Sequence, residues 1–342
     1  MKPPSQFIRS LPKAELHLHL EGSVEPATLV ELSRRHSGPQ YTLEEAEQLY
    51  NYPDFAAFLL AFKAVAEQLT TPEDYELITY RLMERLRSEN VPHAEVYVSV
   101  GVVLWYKRDF APIFEALERA RQRGERDFGV SVLWIFDAVR QFGPDRARRV
   151  VDQAVQYRDR NVVGIGIGGD ERRAGPELFR DVYAYAADNG LHLTCHAGET
   201  AGPESIWGAL NLKSERLGHA LSAGQDRELM AVLVERQIPL EICISSNLRT
   251  ACCARLQDHP VKRYFDLGAM VTLNTDDPAM FRTSLSHEYQ LAQDSFGFTD
   301  EHVRELARNS FEAAFLPPEK KLWFLNSLDA MAPVPGRPTR IP

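Results

Sequence analysis

The sequence predicts an α/β chain folded as a (β/α)8 TIM barrel, and three observations lead there. Short β-rich runs alternate with longer amphipathic stretches about seven or eight times, which implies parallel strands joined by helical crossovers. Four of the strands end in a histidine or an aspartate beside a turn. No Pro/Gly/Ser linker, low-complexity tract or fixed repeat divides the 342 residues, so 1–342 reads as one domain. Periodicity alone leaves open a doubly wound sheet. The polar strand ends decide, because a closed barrel brings the C-terminal ends of strands so distant in sequence to one mouth, which an open sheet seldom does.

The first run, residues 14–20, alternates apolar and polar side chains and reads as a strand. Extra helices follow before the second strand. Residues 54–68 repeat their apolar positions every 3.6 residues, and Thr71-Pro72-Glu73-Asp74 is a helix start with proline at the first helical position. Further strand-like runs lie at 93–100, 130–136, 162–167, 191–195, 239–244 and 270–274. Helical segments such as 176–189 and 226–237 separate them. The Pro-rich tail, residues 332–342, reads as frayed.

Composition excludes several classes. The chain is 44% hydrophobic and 25% charged, which supports a large core and excludes wholesale disorder. A net charge of −9 repels phosphate backbones, so no nucleic-acid partner is expected. Cys195, Cys243, Cys252 and Cys253 form no C-x-x-C pair, which argues against a thiolate zinc site. The first ten residues lack an apolar leader core, and no run of about 18 apolar residues exists. The expectation is a cytoplasmic protein without a membrane partner.

The chemistry begins at His17-x-His19. Residues two apart on a strand share a face, so two imidazoles at its end can grip one ion. A solvent-facing pair is the plainer alternative. His196-Ala197-Gly198-Glu199 again ends a strand in a histidine, followed by a carboxylate. His192 falls at the opposite end of that strand and reads as structural. Arg216-Leu217-Gly218-His219 and Thr272-Leu273-Asn274-Thr275-Asp276-Asp277 complete the set. Three imidazoles and one carboxylate without thiolates suit Zn²⁺ and can also hold Fe²⁺, Co²⁺ or Mn²⁺. The expected ligands are His17, His19, His196 and one of the Asp276–Asp277 pair. Glu199 and His219 remain for proton transfer and water orientation. The implied reaction is hydrolysis at an electrophilic carbon.

The pattern resembles the adenosine deaminase family of metal-dependent aminohydrolases over almost the whole chain. The carrying motifs are Leu16-His17-Leu18-His19-Leu20-Glu21-Gly22-Ser23, Gly168-Gly169-Asp170-Glu171, His196-Ala197-Gly198-Glu199, Gly218-His219 and Leu273-Asn274-Thr275-Asp276-Asp277-Pro278. The resemblance implies one zinc per chain on His17, His19, His196 and Asp276. It implies Glu199 as the acid that protonates purine N1, and His219 as the group that orients and deprotonates the attacking water. Asp277 would bond N7 and the Gly169 N–H would meet N3. The expected reaction converts a 6-aminopurine nucleoside to its 6-oxo product plus ammonia. The H-x-E and P-C-x-x-C signature of the other zinc deaminase fold is absent.

Departures bear on the substrate. Glu21 stands where many nucleoside deaminases carry Asp, near the ribose 5′ end, and also resembles adenine deaminases, which act on the free base. Residues 246–250 and the Arg172-Arg173 pair resemble the branch that deaminates 6-aminodeoxyfutalosine in menaquinone synthesis. An arginine there, Arg249 above all, would meet a distal carboxylate; pairing of such arginines with Asp170 and Glu171 is the plainer alternative. Gly164-x-Gly166-x-x-Gly169 matches the dinucleotide fingerprint only formally, because its glycines overlap a strand and acidic residues follow. Phe55, Phe58, Leu59 and Phe62 share a helical face that reads as core packing, with an apolar cover over the purine as the functional alternative.

Overall fold

In the computed structural model, residues 3–331 are described, so the reading of 332–342 lies outside the described residues. Eight strands pair in sequence order. They are β1 (Ala14–His19), β2 (His93–Val98), β3 (Ser131–Val139), β4 (Val162–Gly168), β5 (His192–Ala197), β6 (Arg216–His219), β7 (Leu240–Ile242) and β8 (Val271–Leu273). Each neighbouring pair is parallel. Closure falls at the functional end, where His19 N–H donates to Asp276 O at 2.8 Å and Asp276 N–H to His17 O at 3.0 Å. This is the expected TIM barrel. Every residue of β1 and β2 is buried, because helices cover the outside and side chains fill the lumen.

Four helices, Pro26–Ser33, Leu43–Leu49, Phe55–Gln68 and Pro72–Ser88, form the expected insertion between β1 and β2. Pro72–Ser88 starts at a Thr71/Asp74 capping box, with proline just inside it. Other boundaries shift for local reasons. The run at 93–100 yields its end to the helix Val100–Trp105. The apolar run at 239–244 divides between β7 and the helix Ile244–Arg249. Residues 176–189 open with a 3-10 turn, Pro176–Phe179, before the helix Arg180–Asp188. β3 runs on through Asp137 to Val139, beyond the apolar stretch that marked it. Among the described residues, no helix is long and apolar enough to cross a membrane.

Candidate active site

The strand ends converge as the sequence predicts. His17, His196, His219 and Asp276 each offer a ligand atom within 4.8 Å of the others. His19 joins them, its Nε2 3.1 Å from His196 Nε2 and 3.3 Å from Asp276 Oδ1. His17 Nε2 lies 3.4 Å from the same oxygen. His219 and Asp276 hold φ of 65° and 66°, the left-handed region that residues other than glycine seldom occupy. Such backbone persists where the surroundings enforce it, which is common at functional sites.

Outer partners aim these groups. His17 Nδ1 bonds Glu241 Oε2 at 2.8 Å, leaving its buried Nε2 without a hydrogen-bond partner and facing the cluster. Glu241 is itself anchored by Arg216 Nε at 2.7 Å. Ser246 Oγ donates to Asp276 Oδ2 at 2.7 Å. An orphaned imidazole nitrogen, two ring nitrogens face to face and a shared carboxylate oxygen are what a cation would reconcile. The donor set of imidazoles and one carboxylate suits a divalent transition metal.

Glu199 sits on the loop after β5, and Glu171 holds that loop. The Glu171 carboxylate accepts from the N–H groups of Gly198, Glu199 and Thr200 at 2.7, 2.8 and 2.9 Å. Burial pushes the Glu199 carboxyl well above the usual carboxylate range, and the charges of Asp276 and Glu171 add to the rise. The Cys252 thiol is hydrogen-bonded to it. Asp277 is raised likewise, first by burial and then by the charge of Asp276. Burial lowers His219 to about 3, so its imidazole is neutral. Gly22 packs on Asp277 so closely that a Cβ there would fall 1.8 Å from its Oδ1. Gly169, at φ 96°, meets the Gln141 side chain, where a Cβ would stand 2.2 Å from Oε1. A side chain at Gly22 would have to displace Asp277, and one at Gly169 would be strained by the positive φ.

These groups open onto a cavity of about 1210 Å³, lined by His19, Gly169, His196, Glu199, His219, Asp276 and Asp277. Phe55, Phe58, Leu59 and Phe62 also line it, so the helix face that read as core packing forms an apolar wall of the cavity. Phe58 does both, since it is buried against Phe281 at 4.9 Å between ring centroids.

Two expected site residues stand elsewhere. Arg249 is absent from the cavity lining; its Nη2 donates to Tyr50 O at 2.8 Å, because the helix Ile244–Arg249 turns it toward the insertion. Glu21 lies behind the wall, its Oε1 accepting from Ser99 N–H at 3.0 Å and its Oε2 buried without a partner. Arg172 and Arg173 do line the mouth, with Arg173 3.3 Å from Asp170. His192, at the far end of β5, stacks on Phe315 at 4.0 Å and is structural as expected. Asp137 was not foreseen. It is buried, lines the cavity, has an unpartnered Oδ1, and is raised by burial to about 8. The apolar run before it gave no sign that the strand continued.

With this geometry in place, the comparisons with known proteins are direct. The sequence profile of the adenosine deaminase family matches residues 12–331. Aminodeoxyfutalosine deaminase of Streptomyces coelicolor is 36% identical over 328 residues, covering 94% of this chain and 85% of that protein. Adenine deaminase of Hahella chejuensis is 35% identical over 326 residues, covering 94% and 97%. The crystal structure of an amidohydrolase from Burkholderia ambifaria, with bound Zn, matches with a TM-score of 0.88 at 29% identity, covering 94% of this chain and 92% of that one. The chain belongs to the adenosine deaminase family. It is a hydrolase acting on C–N bonds, and its reaction is hydrolytic deamination.

Proposed function

We propose that this chain deaminates a 6-aminopurine nucleoside extended at its 5′ carbon, such as 6-aminodeoxyfutalosine, to the 6-oxo product and ammonia. The observation that carries the reading is the cavity. At about 1210 Å³ it exceeds the usual range of small-molecule pockets and continues from the metal-type cluster out to Trp105, Arg172 and Arg173. A free adenine would fill only its floor. Aminodeoxyfutalosine deaminase of Streptomyces coelicolor and adenine deaminase of Hahella chejuensis are almost equally similar to this chain, so the cavity rather than sequence identity carries the choice.

His17, His19, His196 and Asp276 would hold one Zn²⁺, which when bound acidifies a water and makes it a nucleophile near neutral pH. The protein groups do the rest. Glu199, protonated in its buried site, gives its proton to purine N1 and so draws electrons from C6. His219 orients the attacking water. N7 of the purine has only a lone pair, so Asp277 must donate to it, as a carboxyl kept neutral by burial can. The Gly169 N–H serves N3.

Ammonia release across adenine, adenosine, AMP, 5′-modified adenosines and 6-aminodeoxyfutalosine tests the substrate. The expected result is a kcat/KM for 6-aminodeoxyfutalosine at least about 10-fold above adenosine, a difference near 1.4 kcal/mol. A preference for adenine would overturn the nucleoside reading. Because Arg249 faces Tyr50 rather than the cavity, Arg249→Met should not change the ratio between substrates.

Asp277 gives a second test. Asp277→Ala should cost about 1–3 kcal/mol in kcat/KM by leaving N7 unpaired, whereas Asp277→Asn keeps an N–H donor and should lose less. With the wild-type protein, 7-deazaadenosine should react more slowly than adenosine; equal rates would refute the N7 contact.

A further inference from the structure

Between β7 and β8, a chain of hydrogen bonds runs toward His219 from outside the site. It starts at Val261, whose N–H donates to His259 Nδ1 at 3.3 Å. A backbone N–H can only donate, so Nδ1 accepts and the neutral ring carries its proton on Nε2. Burial lowers the His259 ring to about 4, which keeps it neutral. Its Nε2 lies 3.2 Å from Asn247 Oδ1. That contact fixes which end of the amide faces His259. The other end, Nδ2, lies 3.0 Å from His219 Nδ1 and must donate to it. The single proton of His219 is then left on Nε2, which points into the site, 3.7 Å from Glu199 Oε2 and 3.9 Å from Asp276 Oδ2. His219, Asn247 and His259 are all buried, so bulk water does not offer competing partners.

We propose that Asn247 and His259 are positioning residues that lock His219 as its Nε2–H tautomer. Two consequences follow for the site. An imidazole N–H has no lone pair for a metal, so His219, although within the cluster, is excluded as a ligand and His19 takes the place. His219 also faces the attacking water as a hydrogen-bond donor to its oxygen, not as a base. The base left is Glu199, ionised once it has given its proton to N1; it takes one proton of the water and passes it to the departing amine, which leaves as ammonia, and the proton of the new C6 hydroxyl returns to Glu199 as the C–O bond becomes the carbonyl. The inference rests on the deaminase reading for its meaning in the reaction, but the tautomer itself is measured without turnover.

The test is NMR of the metal-loaded protein carrying ¹⁵N-labelled histidine, with the His219 signals identified by their loss in His219→Gln. The expected result is a protonated Nε2 and a bare Nδ1 on His219 in the wild type. A proton on Nδ1 would overturn the proposal. The variants His259→Gln and His259→Glu then test the relay. Gln can still donate to Asn247 Oδ1, whereas Glu accepts and turns the amide round. His259→Glu should move the His219 proton to Nδ1 and lower kcat by about 10–100-fold relative to His259→Gln, with KM changed far less. Equal kcat and the same tautomer in both variants would remove the relay. If thermal melting shows that His259→Glu does not fold, the wild-type tautomer decides alone. Failure of every aminopurine to release ammonia would reject the deaminase reading and leave the tautomer measurement standing.

Discussion

Asp276→Ala should yield a folded chain that holds no stoichiometric metal and releases no ammonia. Asp276 Oδ1 is the oxygen that both His17 Nε2 and His19 Nε2 approach, at 3.4 and 3.3 Å, so its loss removes the charge that balances a dication among imidazoles. His17→Ala should do the same, because its Nε2 faces the cluster with no other partner. Elemental analysis of each purified variant is the check, and full zinc in either would reject the ligand assignment. Glu241→Gln offers a graded version. It keeps the shape beside His17 Nδ1 but removes the carboxylate that raises the ring's basicity, and should weaken metal binding by about 10–100-fold. Asn274 Oδ1, which accepts from the His17 N–H at 3.2 Å, would still hold the backbone in all three variants.

Much of this site was legible in sequence because strand periodicity places side chains simply. Two residues apart on β1 means one face, so His17 and His19 had to meet whatever ended β5 and β8. The outer partners were not legible, and the reason is physical. Arg216 is shared between Glu241 and Glu95 inside the lumen, with its Nη1 2.5 Å from Glu95 Oε2 and its Nε 2.7 Å from Glu241 Oε1. In sequence they look like isolated charges that solvent could take. Asp137 was hidden because an apolar run seemed to end where the strand in fact continued. Arg249 misled for the opposite reason. It follows a strand closely, but it is the last residue of the six-residue helix Ile244–Arg249, which turns it away from the mouth. His259, a lone histidine in a loop, matched no spacing rule; only the directional logic of its bonds reveals a role.

Glu199→Gln should lower turnover by about 10²–10⁴-fold while metal content stays at the wild-type level. The amide keeps the volume of the acid and can still donate a hydrogen bond, but it cannot transfer a proton to N1. Its effect therefore separates proton delivery from binding: kcat should fall far more than KM changes, and near wild-type turnover would end the role given to Glu199. The pH profile supplies an independent sign. In the proposed role Glu199 must be protonated, and burial together with the charges of Asp276 and Glu171 raises its pKa well above 4.5. Activity that depends on it is present below that raised pKa and is lost as pH climbs through it. Asp277, raised by burial and by Asp276, would act in the same direction in its proposed role, because an ionised carboxylate would face N7 with lone pairs opposed. The alkaline limb of kcat/KM should therefore steepen toward two groups in the wild type and toward one in Glu199→Gln. A wild-type profile that instead rises with pH through the neutral range would mean that the carboxylates work ionised, and the acid assignment would have to move to another residue.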